Sequence, residues 1–596
     1  MFSLIRKCVF LLTPEKWIRW VALILLALLA SAFEATGAII VLLLMGLITG
    51  TDQLDLPIVG NLDTVIPGSD RQEQLLIVSG FIALFFLVRA FVMVAEAYWQ
   101  GRVIYRAGAR LSARLLDGYL AMPYEFHLRR NSSEMIRNSY DSVRTFVREV
   151  LNTLVVMVSK GMVVVGVLVV LLASAPLAAV LAVLFLGPLT YAMLGIVHPR
   201  VKRMGAQSQE LSGTSLQTLQ QSLGGIRDIK VLGRERPFSE TYRRQREGYA
   251  RAQYRRAAAR EIPRQAIEGA LMLFVVGFFA LTVIRGGSAA NTLSILALFG
   301  YSALRLKPPL SEILAGLNAL KFATHAVDDL VADATLLKKY APPFSDRATA
   351  TPLPFTNEIR IEGVTYRYAG TETDVLHDVD FTIRRGESIG IVGPTGGGKS
   401  TLVDILMGLL RPTSGRVLVD GVDIAGCTPE WQKNLGVVSQ MVFLVDDTLR
   451  RNICFGINDD DIDEELLAET IRMAQLDEFV SQLPEGLETM VGERGVRVSG
   501  GQRQRIAIAR ALYHQPSVLV FDEGTSALDN ITEREIVAAL ESLRGHRTII
   551  TIAHRLSTIH SCDRVVMLQA GRVSDVGTYE ELFHRNIDFN RMAAAV

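Results

Sequence analysis

Gly393-Pro394-Thr395-Gly396-Gly397-Gly398-Lys399-Ser400 is the stretch that decides how this chain reads. It has the spacing G-x-x-x-x-G-K-[ST]. An apolar run, Ser388 to Val392, precedes it, and a helical pattern, Thr401 to Leu410, follows it. A glycine loop between a strand and a helix lets backbone N–H groups curl around an anion, and the helix N-terminus adds its positive dipole end. Lys399 is placed to reach the β- and γ-phosphates of a nucleoside triphosphate. Ser400 is placed to hold Mg²⁺, and Thr401, next in line, is counted among the ATP-binding residues.

Further along, Ser517-Val518-Leu519-Val520-Phe521-Asp522-Glu523 reads as a buried strand ending in two carboxylates. Asp522 suits Mg²⁺, and Glu523 then stands where it polarises the water that attacks the γ-phosphate. Between the two motifs lies Val498-Ser499-Gly500-Gly501-Gln502, a second candidate anion site at a helix start. One chain cannot wrap both anion sites around the same phosphate. A head-to-tail homodimer solves this, with Ser499 of one copy facing the ATP of the other.

With these motifs in this order, residues from about 359 to 596 resemble the nucleotide-binding domain of an ATP-binding-cassette (ABC) transporter. The resemblance implies roles for further residues. Tyr368 stacks on adenine. Gln440, in Val437-Val438-Ser439-Gln440, touches Mg²⁺ and senses the membrane domain. Glu493-Arg494-Gly495 contacts the coupling helices. Ser526-Ala527-Leu528-Asp529 crosses the dimer interface and brings Asp529 to the nucleotide. His554 is the switch histidine on the γ-phosphate. Two departures stand out: Val498 where the family usually has Leu, and Gly524 where Ala is usual. Neither removes a chemical group, so both composite sites are expected to hydrolyse ATP, with Glu523, His554 and Gln440 as the catalytic set.

The chain has 596 residues, enough for at least two domains, and a net charge of +1, which implies no nucleic-acid partner. Cys8, Cys427, Cys454 and Cys562 are scattered, which argues against a zinc site or a disulfide framework. Mean hydropathy is +0.28, and the apolar residues concentrate before residue 320. Six apolar segments stand at about 19–48, 74–98, 148–172, 177–198, 265–284 and 291–314. Each approaches or exceeds the ~20 residues needed to span a bilayer. The first runs too far to be a cleavable signal peptide.

Charge bias sets the orientation. The 49–73 loop has five acidic residues against Arg71, the 99–147 connection has eight arginines, and 199–264 has thirteen arginines and two lysines. Both termini and the nucleotide-binding domain are therefore expected on the cytoplasmic side. Short transverse helices are expected near Met122 to Arg130 and near Leu223 to Gly233. The resulting layout is an all-α six-helix transmembrane domain (1–337), a proline-rich linker (338–357) and an α/β P-loop domain (358–596). By resemblance this is the type IV exporter fold, domain-swapped in a dimer.

Charged residues inside membrane spans are candidates for function by default. Arg89, Arg264 and Arg305 would form a basic belt suited to phosphate or pyrophosphate. Glu34, Glu96 and Glu268 could instead pair with them and make the charges structural. Phe33-Glu34, Met122-Pro123-Tyr124 and the run Gly224 to Glu235 resemble the lipid-linked oligosaccharide flippases of the bacterial inner membrane. The cargo that resemblance implies is a lipid-linked anionic amphiphile. Two alternatives stay open: a general exporter of drugs, lipid A or peptides, and a non-transporting, ATP-gated sensor or channel.

Overall fold

The computed structural model describes residues 2–12, 17–49, 71–174, 176–284, 289–340, 350–492, 498–522, 538, 541, 543–552 and 559–594. The chain divides into two compact units: Met1–Met122 with Arg129–Pro343, and Pro123–Leu128 with Phe344–Val596.

The first unit is helical. A short helix α1 (Phe2–Leu12) precedes the long helices α2 (Trp17–Thr49) and α3 (Arg71–Ala121). Helix α4 (Tyr124–Arg129) makes a turn before α5 (Ser132–Arg137). Two π-helical segments, Asn138–Ser142 and Phe146–Leu151, lead into α6 (Asn152–Ser174). Next come α7 (Pro176–Gly224), the short α8 (Ile226–Leu232), α9 (Glu235–Ile284), α10 (Ala289–Phe322) and α11 (Thr324–Tyr340). The six long helices α2, α3, α6, α7, α9 and α10 carry the six apolar segments. Helices α3, α7 and α9 run to 51, 49 and 50 residues. At ~1.5 Å per residue each is far longer than a ~30 Å hydrocarbon layer, so their polar halves extend beyond it.

Apolar side chains on α3 point outward, including Phe81, Leu84, Leu87 and Phe91. A helix apolar on its outer face suits lipid as solvent. Inside the unit, small residues let helices approach. Ser31 on α2 donates to the Ser159 carbonyl on α6 at 3.0 Å, and a Cβ at Gly205 on α7 would lie 2.2 Å from the Phe322 carbonyl on α10. Helices α4 and α8 fall where the sequence places its transverse turns. Helix α8 stops at Gly233, which takes the left-handed φ of +60°, and the N–H groups of Gly233 and Arg234 bond back to Lys230 and Ile229.

The second unit holds two sheets. One is antiparallel, in the order β2 (Leu376–Arg384), β1 (Glu358–Tyr366), β4 (Ser414–Val419), β5 (Val422–Asp423). The other runs β10 (Arg572–Gly577), β9 (Arg564–Gln569), β3 (Ser388–Val392), β8 (Thr548–Ile552), β7 (Val518–Asp522), β6 (Leu435–Val438). All its neighbours are parallel except β10. Strands β3 and β8 are buried at every position, as central parallel strands covered on both faces must be. Trp431 is 1 % exposed and donates its indole N–H to the Leu406 carbonyl at 2.7 Å, pinning the C-terminal end of helix α12 (Lys399–Leu406).

Candidate nucleotide site and membrane arginines

Parallel strands end on one edge of a sheet, and ligands of such sheets bind beyond that edge. Here Ile391 of β3, Ile552 of β8 and Asp522 of β7 stand in one row of the register, with Val438 of β6 beside Phe521. The residues that follow each strand therefore converge. Gly393 follows β3 directly, and Gln440 stands two positions after β6 in an exposed loop.

The loop after β3 requires its glycines. Gly393, Gly396 and Gly398 take φ of +152°, +80° and +96°. A Cβ on Gly393 would lie 2.0 Å from the Leu568 carbonyl, and one on Gly398 would lie 2.7 Å from the Leu376 side chain. Gly398 caps helix α12, so the N–H groups of its first turn face the loop. Lys399 is buried, and its ammonium donates to the carbonyls of Gly393 and Pro394 at 2.8 and 3.1 Å. Ser400 is exposed beside it.

Tyr368 comes to the same helix end. Its hydroxyl lies 3.0 Å from Thr401 Oγ1, and its ring meets Tyr366 edge-on at 5.0 Å. The Tyr366 hydroxyl in turn donates to Glu125 of α4 at 3.2 Å, within the second unit. This link has no signal in the sequence, because it joins residues 241 positions apart.

Asp404, a turn into α12, is a further site residue that motif reading misses. Burial and then the Asp522 charge push its carboxyl up to about 6. Asp404 thus feels the Asp522 charge, and it stands one helical turn after Ser400. These are hard oxygen donors of the kind Mg²⁺ takes, and a divalent cation would relieve the crowding of negative charge.

Ser499 begins helix α13 (Gly500–Tyr513) as its cap. Its hydroxyl accepts from the Gln502 N–H at 3.2 Å, and the Gln502 side chain accepts from the Ser499 N–H at 2.8 Å. Ser499 is exposed at this end, with Gly500 and Gly501 in the first turn. Glu523, Asp529 and His554, and the loop Glu493-Arg494-Gly495, lie outside the described residues.

The membrane arginines behave individually. Arg89 on α3 is half-buried, its Nε has no hydrogen-bond partner, and its guanidinium lies over the Phe86 ring at 5.7 Å. Arg264 on α9 is exposed and stands 3.5 Å from Glu261, one turn earlier on the same helix. Arg305 falls on α10, with its side chain outside the described set. Among the described residues, Glu268 pairs with no arginine. Its partner is Lys307 of α10, at 2.5 Å.

Residues 20–303 match the ABC transporter transmembrane region, and residues 376–526 match the ABC transporter domain. The chain is 31% identical to the "ATP-dependent lipid A-core flippase" of Albidiferax ferrireducens, over 87% of this chain and 89% of that one. The chain belongs to the ABC transporter family. A flippase of the same name from Ralstonia nicotianae is 29% identical over 93% of both chains. The solved structure of a bacterial Atm1-family ABC exporter with ATP bound superposes on this ABC transporter with a TM-score of 0.80. The two are 25% identical, and the match covers 98% of this chain and 99% of the other. The fold is thus that of an ABC exporter: a membrane protein that joins a helical transmembrane domain to an ATP-binding domain of the transport-ATPase kind.

Proposed function

We propose that two copies of this chain form an ATP-driven flippase for a phosphorylated glycolipid in a bacterial inner membrane. The observation that carries this reading is the likeness to lipid A-core flippases along nearly the whole chain, membrane half included. It favours a lipid A-type cargo over the lipid-linked oligosaccharide expected from the membrane-half motifs. The two cargoes share a phosphorylated glycan on an apolar anchor.

Pairing of two copies is supported by apolar side chains left uncovered in one. On α8, Val231 is 79 % and Leu232 69 % exposed, and in the second unit Met441 is 86 % exposed. Patches of this kind mark protein contacts. In the pair, α8 of one copy docks on the Met441 surface of the other, and Ser499 of one closes over the Gly393–Ser400 loop of the other. Bound ATP supplies the phosphates that bridge the two surfaces and the bond that is cleaved. Lys399 and the α12 N-terminus hold the phosphate charge, Tyr368 takes the adenine, and Ser400, Asp522 and Gln440 hold Mg²⁺. Glu523 orients the attacking water and His554 senses the γ-phosphate. Closure reaches the membrane helices through Gln440, α4 and α8. Both termini and the ATP-binding domain face the cytoplasm.

Proteoliposomes test this directly. Wild type is expected to move a fluorescent lipid A analogue in the presence of ATP, and to move a polyprenyl-pyrophosphate glycan more slowly. Failure to move either would remove the flippase reading. Glu523→Gln is expected to lower ATP turnover by about 100-fold or more, as loss of a positioned general base does. Turnover at the wild-type rate would remove Glu523 from the mechanism. ATP binding without turnover in the wild type would favour a gated sensor or channel.

A further inference from the structure

One polar cavity of the first unit is lined by neither Arg89 nor Arg264. A cavity of about 870 Å³ lies between the cytoplasmic ends of α6, α7, α9 and α10 and the π-helical segments before α6. Its walls take in the ends of the 148–172 and 291–314 apolar segments and the polar stretches next to them, so it sits at the membrane boundary.

Asn318 of α10 lines it at 5 % exposure, and neither its carboxamide oxygen nor its nitrogen has a hydrogen-bond partner. A buried amide left unpaired is costly, so this side chain calls for a polar occupant. Arg144 and Arg148 face the same space, four residues apart, and neither forms an ion pair with a described residue. Arg148 stands on the π-helical run Phe146–Leu151, a distortion that recurs at functional sites. Arg256 is already neutralised by Glu149 and lies over the Phe322 ring at 3.8 Å. Acceptors complete the lining. Glu312 is exposed and forms no ion pair with a described residue, Glu261 is held by Arg264, and Asp141 accepts from Ser212.

We propose that this cavity is a binding site for a phosphorylated sugar. The phosphate sits between Arg144 and Arg148, where paired guanidiniums bind it by charge-assisted hydrogen bonds. The sugar hydroxyls donate to Glu312 and exchange hydrogen bonds with Asn318 and Gln253. A purely anionic ligand would be repelled by Glu312, and an apolar one would leave Asn318 unpaired. The site deepens the flippase reading, since a glycolipid taken from the cytoplasmic leaflet carries its head group at this depth. The same chemistry also fits a free sugar phosphate from the cytoplasm.

The test uses the full-length protein in nanodiscs. The first probe is the fully de-acylated lipid A backbone, a bis-phosphorylated glucosamine disaccharide, with the unphosphorylated disaccharide beside it. Calorimetric binding of the phosphorylated probe is expected. It should weaken by at least about tenfold in Arg144→Ala/Arg148→Ala and in Asn318→Leu, and for the unphosphorylated sugar. Arg243→Ala/Arg255→Ala, on exposed α9 positions outside the cavity, should bind like wild type. Equal binding by wild type and Arg144→Ala/Arg148→Ala, or no binding by wild type at millimolar probe, overturns the site. Transport of the acylated lipid then separates the sources. Its loss in Arg144→Ala/Arg148→Ala assigns the cavity to the lipid head group, and unchanged transport with weakened probe binding assigns it to a soluble sugar phosphate. Probe binding without lipid transport in wild type ends the flippase reading and leaves the site standing.

Discussion

Gly393 shows how narrowly single residues are specified at the nucleotide site. Its left-handed φ and the 2.0 Å approach to the Leu568 carbonyl leave no room for a methyl group. Gly393→Ala is expected to push the loop off β9 and to abolish binding of a fluorescent ATP analogue, while the purified protein stays folded by circular dichroism. Asp420 illustrates a different constraint. Burial raises its carboxyl, but bonds from the N–H groups of Thr356, Glu358 and Asn357 and from the Thr356 hydroxyl outweigh it and hold the group below its ordinary value of 3.8. A depressed carboxylate contributes stability above its unfolded pKa, and that contribution is lost as pH falls through the lower folded value. The thermal midpoint of wild type should therefore drop more steeply below about pH 4 than that of Asp420→Asn. Parallel curves would show that the carboxylate is not held in this way. The glycine spacing was legible in the sequence. Asp404 was not, because its proximity to Asp522 depends on how α12 packs against the sheet.

Elements were legible to different degrees. The apolar segments announce six long helices because a bilayer demands long uninterrupted runs, and β3 and β7 announce themselves as short buried strands bounded by glycine and carboxylate. Helices α4 and α8 could be placed to within a few residues from turn residues and charge. Two features were not visible. The π-helical runs before α6 carry no sequence signature, because they arise from side-chain packing around an ordinary helical pattern. Nor does any local pattern tie α4 to Tyr366. Helix α8 carries a test of coupling. Val231→Asp/Leu232→Asp places charge on the exposed apolar surface that the proposed pairing turns towards the other copy. ATP-driven lipid movement should fall by about tenfold or more, with nucleotide binding kept. Unimpaired transport would mean that α8 is not a contact.

For the molecule as a whole, the shared sites proposed for the pair make a sharp prediction. In that pairing Lys399→Ala would disable the loop of its own copy, and Ser499→Arg would block the loop of the other. Each variant alone should be inactive, whereas co-purified mixed dimers regain one intact site and about half the wild-type ATP turnover per dimer. No recovery would mean that each chain works within itself. What the amino-acid order determined alone is the chemistry that depends on neighbours in sequence. Phosphate binding needs consecutive N–H groups and a lysine at fixed spacing, and membrane insertion needs a run of apolar residues, so both are written locally. The partners of the charges were decided only by tertiary structure. Glu268 pairs with Lys307, Arg264 stays on its own helix, and Arg144, Arg148 and Asn318 meet around one cavity although 174 positions separate the first from the last. Long-range pairing of polar groups depends on helix rotation and depth, which many sequences satisfy equally, so packing had to select among them.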